Sequence, residues 1–458
     1  MGLRFSKNRI EKILPGRVST DRDELFCYGF DASSADGLPS AVVRPYNVEE
    51  VAKLAEYAFQ NTIPIVPRGA GTGMTGGAVP LKDAVILSLE GMDRILDIDE
   101  KSMVATVEPG VINAHLQEEL EVKGLFYPPD PASMKFCTLG GNVAENAGGP
   151  RAIKYGVTKD YVLGLEVVLP DGKVMTTGSK TYKGVVGYDL TRLLVGSEGT
   201  LGIITKIFLK VLPLPEEIMT LLCTFSSLDD AALTVSRITA SSIIPRTLEF
   251  MDQESIRAVE NYKSFGLPVD AEALLLIEVD GPRAAVAREA EKIASLCRSR
   301  NGVVNIAEDI FSKQRIWEAR RIVSPALYHI KPTKINEDVV VPRGRIPEML
   351  GELRKIAQKY NLTIANFGHA GDGNIHVNVM TDKNNPDEYR RASESVQDIF
   401  EATLRLEGTI SGEHGVGITK KQYIGMELSE TSITVMRKIK DVFDPKGILN
   451  PGKMFPDK

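Results

Sequence analysis

Three of the chain's five histidines fall in two short segments framed by glycine. The first segment, residues 367–376, carries His369 and His376, and the second is Gly412-Glu413-His414-Gly415. Imidazole nitrogens and a carboxylate oxygen are ligands for divalent metals, and a set of two histidines and one carboxylate leaves coordination positions open for substrate. The pattern therefore predicts a catalytic centre in which His369, His376 and Glu413 hold iron(II), zinc or manganese.

The residues around the first two histidines predict a β-hairpin. Residues 362–367 and 375–380 are typical of strands, and Ala-Gly-Asp-Gly-Asn between them is turn chemistry. We expect His369 and His376 to face each other across the hairpin, where opposed Cβ atoms lie roughly 4.5 to 5.5 Å apart. Because neighbouring side chains diverge in extended chain, His414 is predicted to be the general base and not a fourth ligand.

The alternative for any one of these histidines is an ordinary hydrogen-bonded interior residue. That alternative explains the whole set poorly, because glycine-rich backbone close to polar ligands is not a core-packing pattern.

Composition narrows the class of protein. The chain has 458 residues and a net charge of -6, which allows two or three cores and argues against a nucleic-acid partner. Apolar runs such as residues 273–277 are too short to span a bilayer, and the basic N-terminus has no apolar signal core. We expect a soluble, cytoplasmic protein. The cysteines are scattered without a CxxC motif, so no iron–sulfur cluster is indicated.

A glycine-rich loop at residues 68–77 predicts a phosphate site. Gly71, Gly73 and Gly76 form a GxGxxG motif, but Pro80 and a strand at residues 84–89 follow where a Rossmann turn would open into a helix. We interpret the loop as a nest of backbone amides for a pyrophosphate. Upstream, Asn47 and Glu50 predict a capping box for a helix over residues 48–60, followed by a strand at residues 63–66.

Two further clusters, residues 128–149 and 195–205, are too rich in glycine and asparagine for ordinary core segments and favour backbone lying against a ligand. The middle of the chain predicts strands at 219–225, 246–250, 273–279 and 303–307, with helices at 229–240 and 283–298. This order is typical of a ferredoxin-like sheet, and a helix at 346–360 precedes the hairpin.

The motifs at residues 67–73, 140–142, 199–204, 368–376 and 412–415, with Asn450-Pro451-Gly452-Lys453 at the end, resemble the FAD-linked oxidases of the vanillyl-alcohol oxidase and p-cresol methylhydroxylase superfamily. Within that superfamily they are most similar to the D-lactate dehydrogenase and glycolate oxidase FAD-subunit branch. The resemblance implies an α+β fold: a two-subdomain FAD-binding domain at 1–215, a ferredoxin-like antiparallel cap at 216–411 that binds substrate and metal, and a segment at 412–458 that returns to the FAD domain.

The resemblance also implies the binding residues. Thr72 stands where some members carry a histidine that tethers the flavin, so the FAD is expected to be non-covalent. Substrate contacts by resemblance are Arg320 in Trp317-Glu318-Ala319-Arg320, Lys334 and Asn378. The predicted FAD contacts are Pro67, Arg68, Gly69, Ala70, Gly71, Thr72, Gly73, Pro129, Asp130, Ser133, Thr138, Gly141, Asn142, Ala147, Gly148, Gly149, Tyr155, Gly199, Gly202, Ile203, Ile204 and Asn450.

The predicted reaction is oxidation of a D-2-hydroxy acid to the 2-oxo acid. The metal lowers the pKa of the substrate hydroxyl, His414 takes its proton, and a hydride passes to flavin N5. D-Lactate is the leading substrate, followed by glycolate and D-2-hydroxyglutarate. Electrons would pass to an electron-transferring flavoprotein, an iron–sulfur subunit or a quinone. A non-catalytic FAD-bearing partner subunit and a flavin-dependent, non-redox ether-lipid synthase remain the alternatives.

Overall fold

The computed structural model describes residues 6–81 and 83–456, so Arg4 of the basic N-terminus lies outside the described residues. The α-helices are α1 Lys7–Ile13, α2 Arg22–Cys27, α3 Val48–Asn61, α4 Asn113–Glu121, α5 Leu139–Glu145, α6 Ala152–Tyr155, α7 Leu190–Leu194, α8 Leu228–Thr239, α9 Gln253–Tyr262, α10 Arg283–Arg298, α11 Ile310–Arg321, α12 Val323–Ala326, α13 Ile346–Tyr360, α14 Pro386–Arg405, α15 Ile424–Glu427 and α16 Glu430–Phe443.

The strands are β1 Val18–Ser19, β2 Ala41–Val43, β3 Ile65–Arg68, β4 Val85–Ser88, β5 Ile95–Asp99, β6 Val104–Val107, β7 Leu125–Phe126, β8 Val162–Val168, β9 Val174–Gly178, β10 Ile203–Lys210, β11 Leu212–Pro213, β12 Glu217–Phe225, β13 Thr247–Asp252, β14 Ala273–Gly281, β15 Val303–Ile306, β16 Thr333–Val340, β17 Thr363–His369 and β18 Asn374–Thr381. Short 3₁₀ turns cover Thr158–Asp160, Leu327–His329 and Arg343–Arg345.

The chain divides into two compact units. The first contains the residues up to Gly148, Val157–Leu214 and the residues from Glu413 onward, and the second contains Gly149–Gly156 and Pro215–Gly412. In the described part of the chain, none of the helices has the length and apolarity that a membrane span requires.

The first unit contains two main sheets. In the smaller one, of order β1-β2-β4-β3, β4 pairs in parallel with β2 and β3, and α3 connects β2 to β3. The larger one has the order β5-β6-β10-β8-β9 and is antiparallel throughout.

The predicted helix after Asn47 forms, and its N-terminal capping differs from the predicted capping box in one contact. The Asn47 side chain accepts from Glu50 N, a contact typically worth ~1 kcal/mol. The Glu50 carboxylate accepts from Tyr46 N at 2.7 Å, one residue before the position that a capping box requires. Val51, Leu54 and Ala58 are buried on the apolar face of α3.

The second unit is built on a seven-stranded antiparallel sheet of order β15-β12-β14-β13-β17-β18-β16. The predicted ferredoxin-like order of strands and helices is present in β12, α8, β13, β14, α10 and β15. The helix α9, between β13 and β14, was not predicted. The sheet continues beyond β13 through the hairpin β17 and β18 to β16, so the two hairpin histidines belong to a continuous sheet.

Candidate active site

A cavity in the first unit is lined by the glycine-rich segments that the sequence selected. Of the predicted FAD contacts, it brings together Pro67, Arg68, Gly69, Ala70, Gly71, Thr72, Gly73, Ser133, Thr138, Gly141, Asn142, Ala147, Gly148, Gly199, Gly202, Ile204 and Asn450. Glu413 and His414 line the same cavity.

The glycine-rich loop presents a row of backbone donors. Among the residues that the structure describes, none of the N–H groups of Gly69, Ala70, Gly71, Thr72 and Gly73 donates to a protein acceptor. Consecutive amides of this kind form an anion-binding concavity. A Cβ atom at Gly69 would lie 2.1 Å from Thr138 Oγ1, so the close approach of this loop to the next one requires glycine. The loop therefore fits a diphosphate group.

The side chain of Arg68 helps to hold this loop. Its guanidinium donates to the Ala78 carbonyl oxygen at 3.4 Å and lies 5.4 Å from the centre of the Tyr28 ring. Burial lowers the pKa of Arg68, against the opposing effect of Asp31 and Glu90.

Five predicted FAD contacts are not among the cavity-lining residues described: Pro129, Asp130, Gly149, Tyr155 and Ile203. Ile203 is fully buried in the core of the first unit. The Pro129 carbonyl accepts from Asn113 Nδ2 at 3.2 Å. Gly149 and Tyr155 belong to the second unit, where Tyr155 Oη donates to Asp280 Oδ2 at 2.7 Å. The contact of these residues with FAD stays a prediction.

Two acidic residues that the sequence reasoning missed, Glu145 and Glu198, also line the cavity. Glu198 accepts hydrogen bonds from Val416 N at 2.8 Å and Gly417 N at 2.7 Å, two and three residues after His414. Burial raises the pKa of both carboxyl groups, and the charge of Glu198 raises that of Glu145 further. Glu198 has a positive φ of 51° inside a glycine-rich turn, and its position between glycines was the sequence signal that could have identified it.

In the second unit, the predicted hairpin forms with a different register. His369 pairs with Asn374, and His376 pairs with Phe367, so the two histidines are diagonal neighbours and the expectation of a directly facing pair was wrong. The hairpin loop is residues 370–373, which places each histidine at a different distance from the turn. The two side chains still share a face of the sheet, because Asn374, the partner of His369, and His376 are two residues apart on one strand. Their ring centres lie 5.1 Å apart.

Both histidines have carboxylates beside them that sequence reasoning missed. His369 Nδ1 lies 2.7 Å from Glu249 Oε1, and His376 Nδ1 lies 3.7 Å from Asp338 Oδ1. Glu249 and Asp338 are both buried. The 2.7 Å contact with Glu249 is short enough for a hydrogen bond that sets the tautomer of His369, an arrangement common among histidines that bind metals, whereas 3.7 Å is too long for such a bond at His376.

Asp338 also contacts the segment that leads to Glu413. Gly412 N lies 3.1 Å from the Asp338 carbonyl oxygen and 3.0 Å from its Oδ2, and Asn374 Nδ2 donates to Oδ1 at 2.6 Å. Gly412 is the last residue of the second unit and is bonded to Glu413.

Glu249 bridges His369 to a predicted substrate residue. Its Oε2 lies 2.6 Å from Arg320 Nη2, and the two side chains are 1% and 10% exposed. Burial of Glu249 opposes ionisation, but the neighbouring His369 and Arg320 prevail and lower the pKa of its carboxyl. Arg320 Nε is buried without a hydrogen-bond acceptor among the described residues, a situation that costs ~1–3 kcal/mol unless a ligand relieves it.

The other two predicted substrate contacts differ in what their side chains already bind. Lys334 Nζ donates to Ser324, and burial lowers the pKa of Lys334 to about 8. Asn378 is fully buried. Its Nδ2 donates to the carbonyls of Ala365 at 3.3 Å and His376 at 3.1 Å, and its Oδ1 accepts from Asn336. These bonds hold the backbone of the hairpin, and a substrate contact of Asn378 stays a prediction.

Comparison with known families decides the kind of protein. Residues 214–454 match the family of FAD linked oxidases, C-terminal domain, and residues 39–178 match the FAD binding domain family. The chain belongs to the FAD-linked oxidases. It is 48% identical over 430 residues to the glycolate oxidase subunit GlcD of Bacillus subtilis (strain 168), covering 93% of this chain and 92% of the relative.

Another relative agrees with this membership, and one solved structure shares the fold. A D-lactate dehydrogenase of Anaerostipes hadrus is 35% identical over 457 residues, covering 97% of this chain and 96% of the relative. The crystal structure of p-cresol methylhydroxylase with substrate bound has a TM-score of 0.80 at 19% identity, covering 98% of this chain and 96% of that one. The α+β fold predicted from the sequence is confirmed. This FAD-linked oxidase is an oxidoreductase.

Proposed function

We propose that this FAD-linked oxidase oxidises a D-2-hydroxy acid to the 2-oxo acid with the help of a divalent metal. One observation carries the proposal: Glu413 and His414 line the same cavity as the donor row of residues 69–73. An acid–base residue beside the cofactor cavity is what removal of a proton and a hydride from one alcohol group requires. The relatives named glycolate oxidase subunit and D-lactate dehydrogenase support a small 2-hydroxy acid as the substrate.

The first unit would hold FAD. The Gly69–Gly73 amides would donate to its diphosphate, and the segments around Thr138 and Gly199 would flank the rest of the molecule. When bound, FAD accepts the hydride from the substrate carbon. Thr72 lies in the loop where a covalent tether would stand, which supports a dissociable cofactor.

Three of the predicted residues would form the metal site. His369 and His376 would coordinate the ion, and Glu413 would complete the set. Gly412, the residue before Glu413, donates hydrogen bonds to Asp338, which pairs with His376 across β16 and β18. These bonds support the role of Glu413 because they hold the residue next to it. When bound, the ion polarises the substrate hydroxyl and lowers its pKa.

The remaining groups would position the acid and move its proton. Arg320 and Lys334 would bind the substrate carboxylate, since a guanidinium can donate two parallel hydrogen bonds to it. His414 would take the hydroxyl proton. Electrons would then leave for a separate acceptor protein, such as an electron-transferring flavoprotein or an iron–sulfur subunit, or for a quinone.

A panel of acids followed by flavin absorbance under anaerobic conditions tests the proposal. D-Lactate, glycolate and D-2-hydroxyglutarate are each mixed with the FAD-loaded protein, with L-lactate as the matched stereochemical control. We expect bleaching by at least one of the three acids and none by L-lactate. A flavin that stays oxidised with every acid would reject the proposal and leave a non-redox or non-catalytic role.

A further inference from the structure

The side chain of Glu249 contacts both a predicted metal ligand, His369, and a predicted substrate-binding residue, Arg320. It lies on β13, whose register sets Glu249 opposite His369 on β17. One carboxylate oxygen lies 2.7 Å from His369 Nδ1, and the other lies 2.6 Å from Arg320 Nη2. No glycine-rich motif surrounds Glu249, and 120 residues separate it from His369.

We propose that Glu249 is a positioning residue that ties the metal centre to the site for the substrate carboxylate; this inference rests on the proposed function. As acceptor for Nδ1–H of His369, Glu249 fixes the tautomer in which Nε2, on the opposite edge of the ring, coordinates the metal. As partner of Arg320 Nη2, it holds the guanidinium so that its other N–H groups bind the acid.

The surroundings of Arg320 support the second half of the inference. Its guanidinium carbon lies 4.8 Å from the centre of the Phe367 ring, so the group is held by an aromatic face as well as by Glu249. Arg320 Nε is buried and has no acceptor among the described residues. A buried donor on a guanidinium that is already held on two sides fits an anionic ligand.

The neighbouring strand provides a matched control, Glu278. This residue lies on β14, is 3% exposed and contacts the same helix as Arg320, since Trp317 Nε1 lies 2.8 Å from Glu278 Oε1. Its other contacts include Thr220 Oγ1 at 2.8 Å. Replacing Glu278 with Gln changes a buried carboxylate of the same sheet without touching the His369 contact.

The test compares Glu249→Gln with Glu278→Gln in the FAD-loaded protein after removal of metal by a chelator. Zn²⁺ and Co²⁺ are titrated into each protein, the visible spectrum of the Co²⁺ form is recorded, and KM and kcat are measured with the acid that bleaches the wild-type flavin. FAD content and the unfolding transition establish that each variant is folded.

We expect Glu249→Gln to weaken metal binding by about 10- to 100-fold, to change the Co²⁺ spectrum and to raise KM by ~10-fold or more. Glu278→Gln should keep the wild-type values. A Glu249→Gln protein with wild-type metal affinity, Co²⁺ spectrum and KM would overturn the inference. Should Glu249→Gln not fold, Glu249→Asp replaces it with the same expectations. A wild-type protein that binds no metal would instead overturn the proposed function itself.

Discussion

The hydroxyl of Thr75 donates a hydrogen bond to the main-chain carbonyl of His414 at a distance of 3.1 Å. This bond joins the glycine-rich loop to the residue proposed as the general base, although 339 residues separate the two in sequence. The backbone of His414 is therefore fixed relative to the cavity wall. The bond does not involve the His414 side chain, so a substitution of that side chain leaves both partners of the bond in place.

His414→Ala should keep metal and FAD and lose flavin reduction. Removal of a general base typically lowers a rate by ~10²- to 10⁴-fold, so we expect a fall of that size in anaerobic stopped-flow absorbance. Metal content measured on the same sample distinguishes a base from a ligand. A loss of metal equal to that of His376→Ala would show that His414 belongs to the coordination sphere.

Replacement of His369, His376 or Glu413 by Ala should abolish both bound metal and turnover. None of the three lies in the donor row at residues 69–73, so FAD content should stay at the wild-type level. Elemental analysis and flavin absorbance check the two expectations. Chelation of the wild-type protein should reproduce the loss of activity, and full turnover by a verified metal-free sample would contradict the prediction.

The lowered pKa of Lys334 predicts a falling limb in the plot of kcat/KM against pH. Burial lowers this pKa to about 8, so the free enzyme loses the positive charge of Lys334 above that pH. Because an anionic acid binds the charged lysine better, kcat/KM should fall as the pH rises through about 8. In Lys334→Met the limb should disappear. Its persistence in this variant would assign the titration to another group.

The same lysine should increase the free energy of unfolding as the pH rises, whereas it lowers kcat/KM. Its pKa is depressed in the folded state and lies at 10.5 in the reference state, so the folded protein binds fewer protons between the two values. The contribution of Lys334 to the free energy of unfolding should therefore rise with pH from about 8 to 10.5. Urea unfolding of wild type and Lys334→Met across this window checks the sign.

Gly373 is required by the turn between β17 and β18. It has a φ of +94°, and a Cβ atom there would lie 2.0 Å from the Val341 carbonyl oxygen. Gly373→Ala should lower the free energy of unfolding by ~1–3 kcal/mol or more and reduce metal content. Gly351→Ala is the matched control, because it lies inside α13 with no atom within 4 Å of the added Cβ. It should raise stability by ~0.5–1 kcal/mol. Equal unfolding transitions for the two variants would contradict this account.

Acid denaturation should release intact FAD into solution. The loop at residues 69–73 contains Thr72 and no histidine, so it offers no imidazole for a covalent bond to the flavin. Absorbance and fluorescence of the supernatant after precipitation measure the released cofactor. Flavin retained on the precipitated chain would show a covalent attachment elsewhere.

Local sequence determined the elements whose signals lie within a few residues of one another. The helices α10 and α13 have the bounds that apolar periodicity predicted, and α3 begins at its asparagine cap. The glycine-rich loop was identified in the same way, because closely spaced glycines restrict what a segment can be. These features depend on backbone preference and short-range hydrogen bonding.

Tertiary structure alone decided the partners of the reactive groups. Strand pairing sets Glu249 opposite His369, and hairpin register makes His369 and His376 diagonal and not facing neighbours. A strand pattern gives the face of each residue but not the register or the neighbouring strand. Burial also shifts the pKa values of Lys334 and Glu198, and the backbone donors to Glu198 lie 218 and 219 residues away in the sequence. The types and order of the chemical groups were thus evident from the sequence, whereas their contacts required the fold.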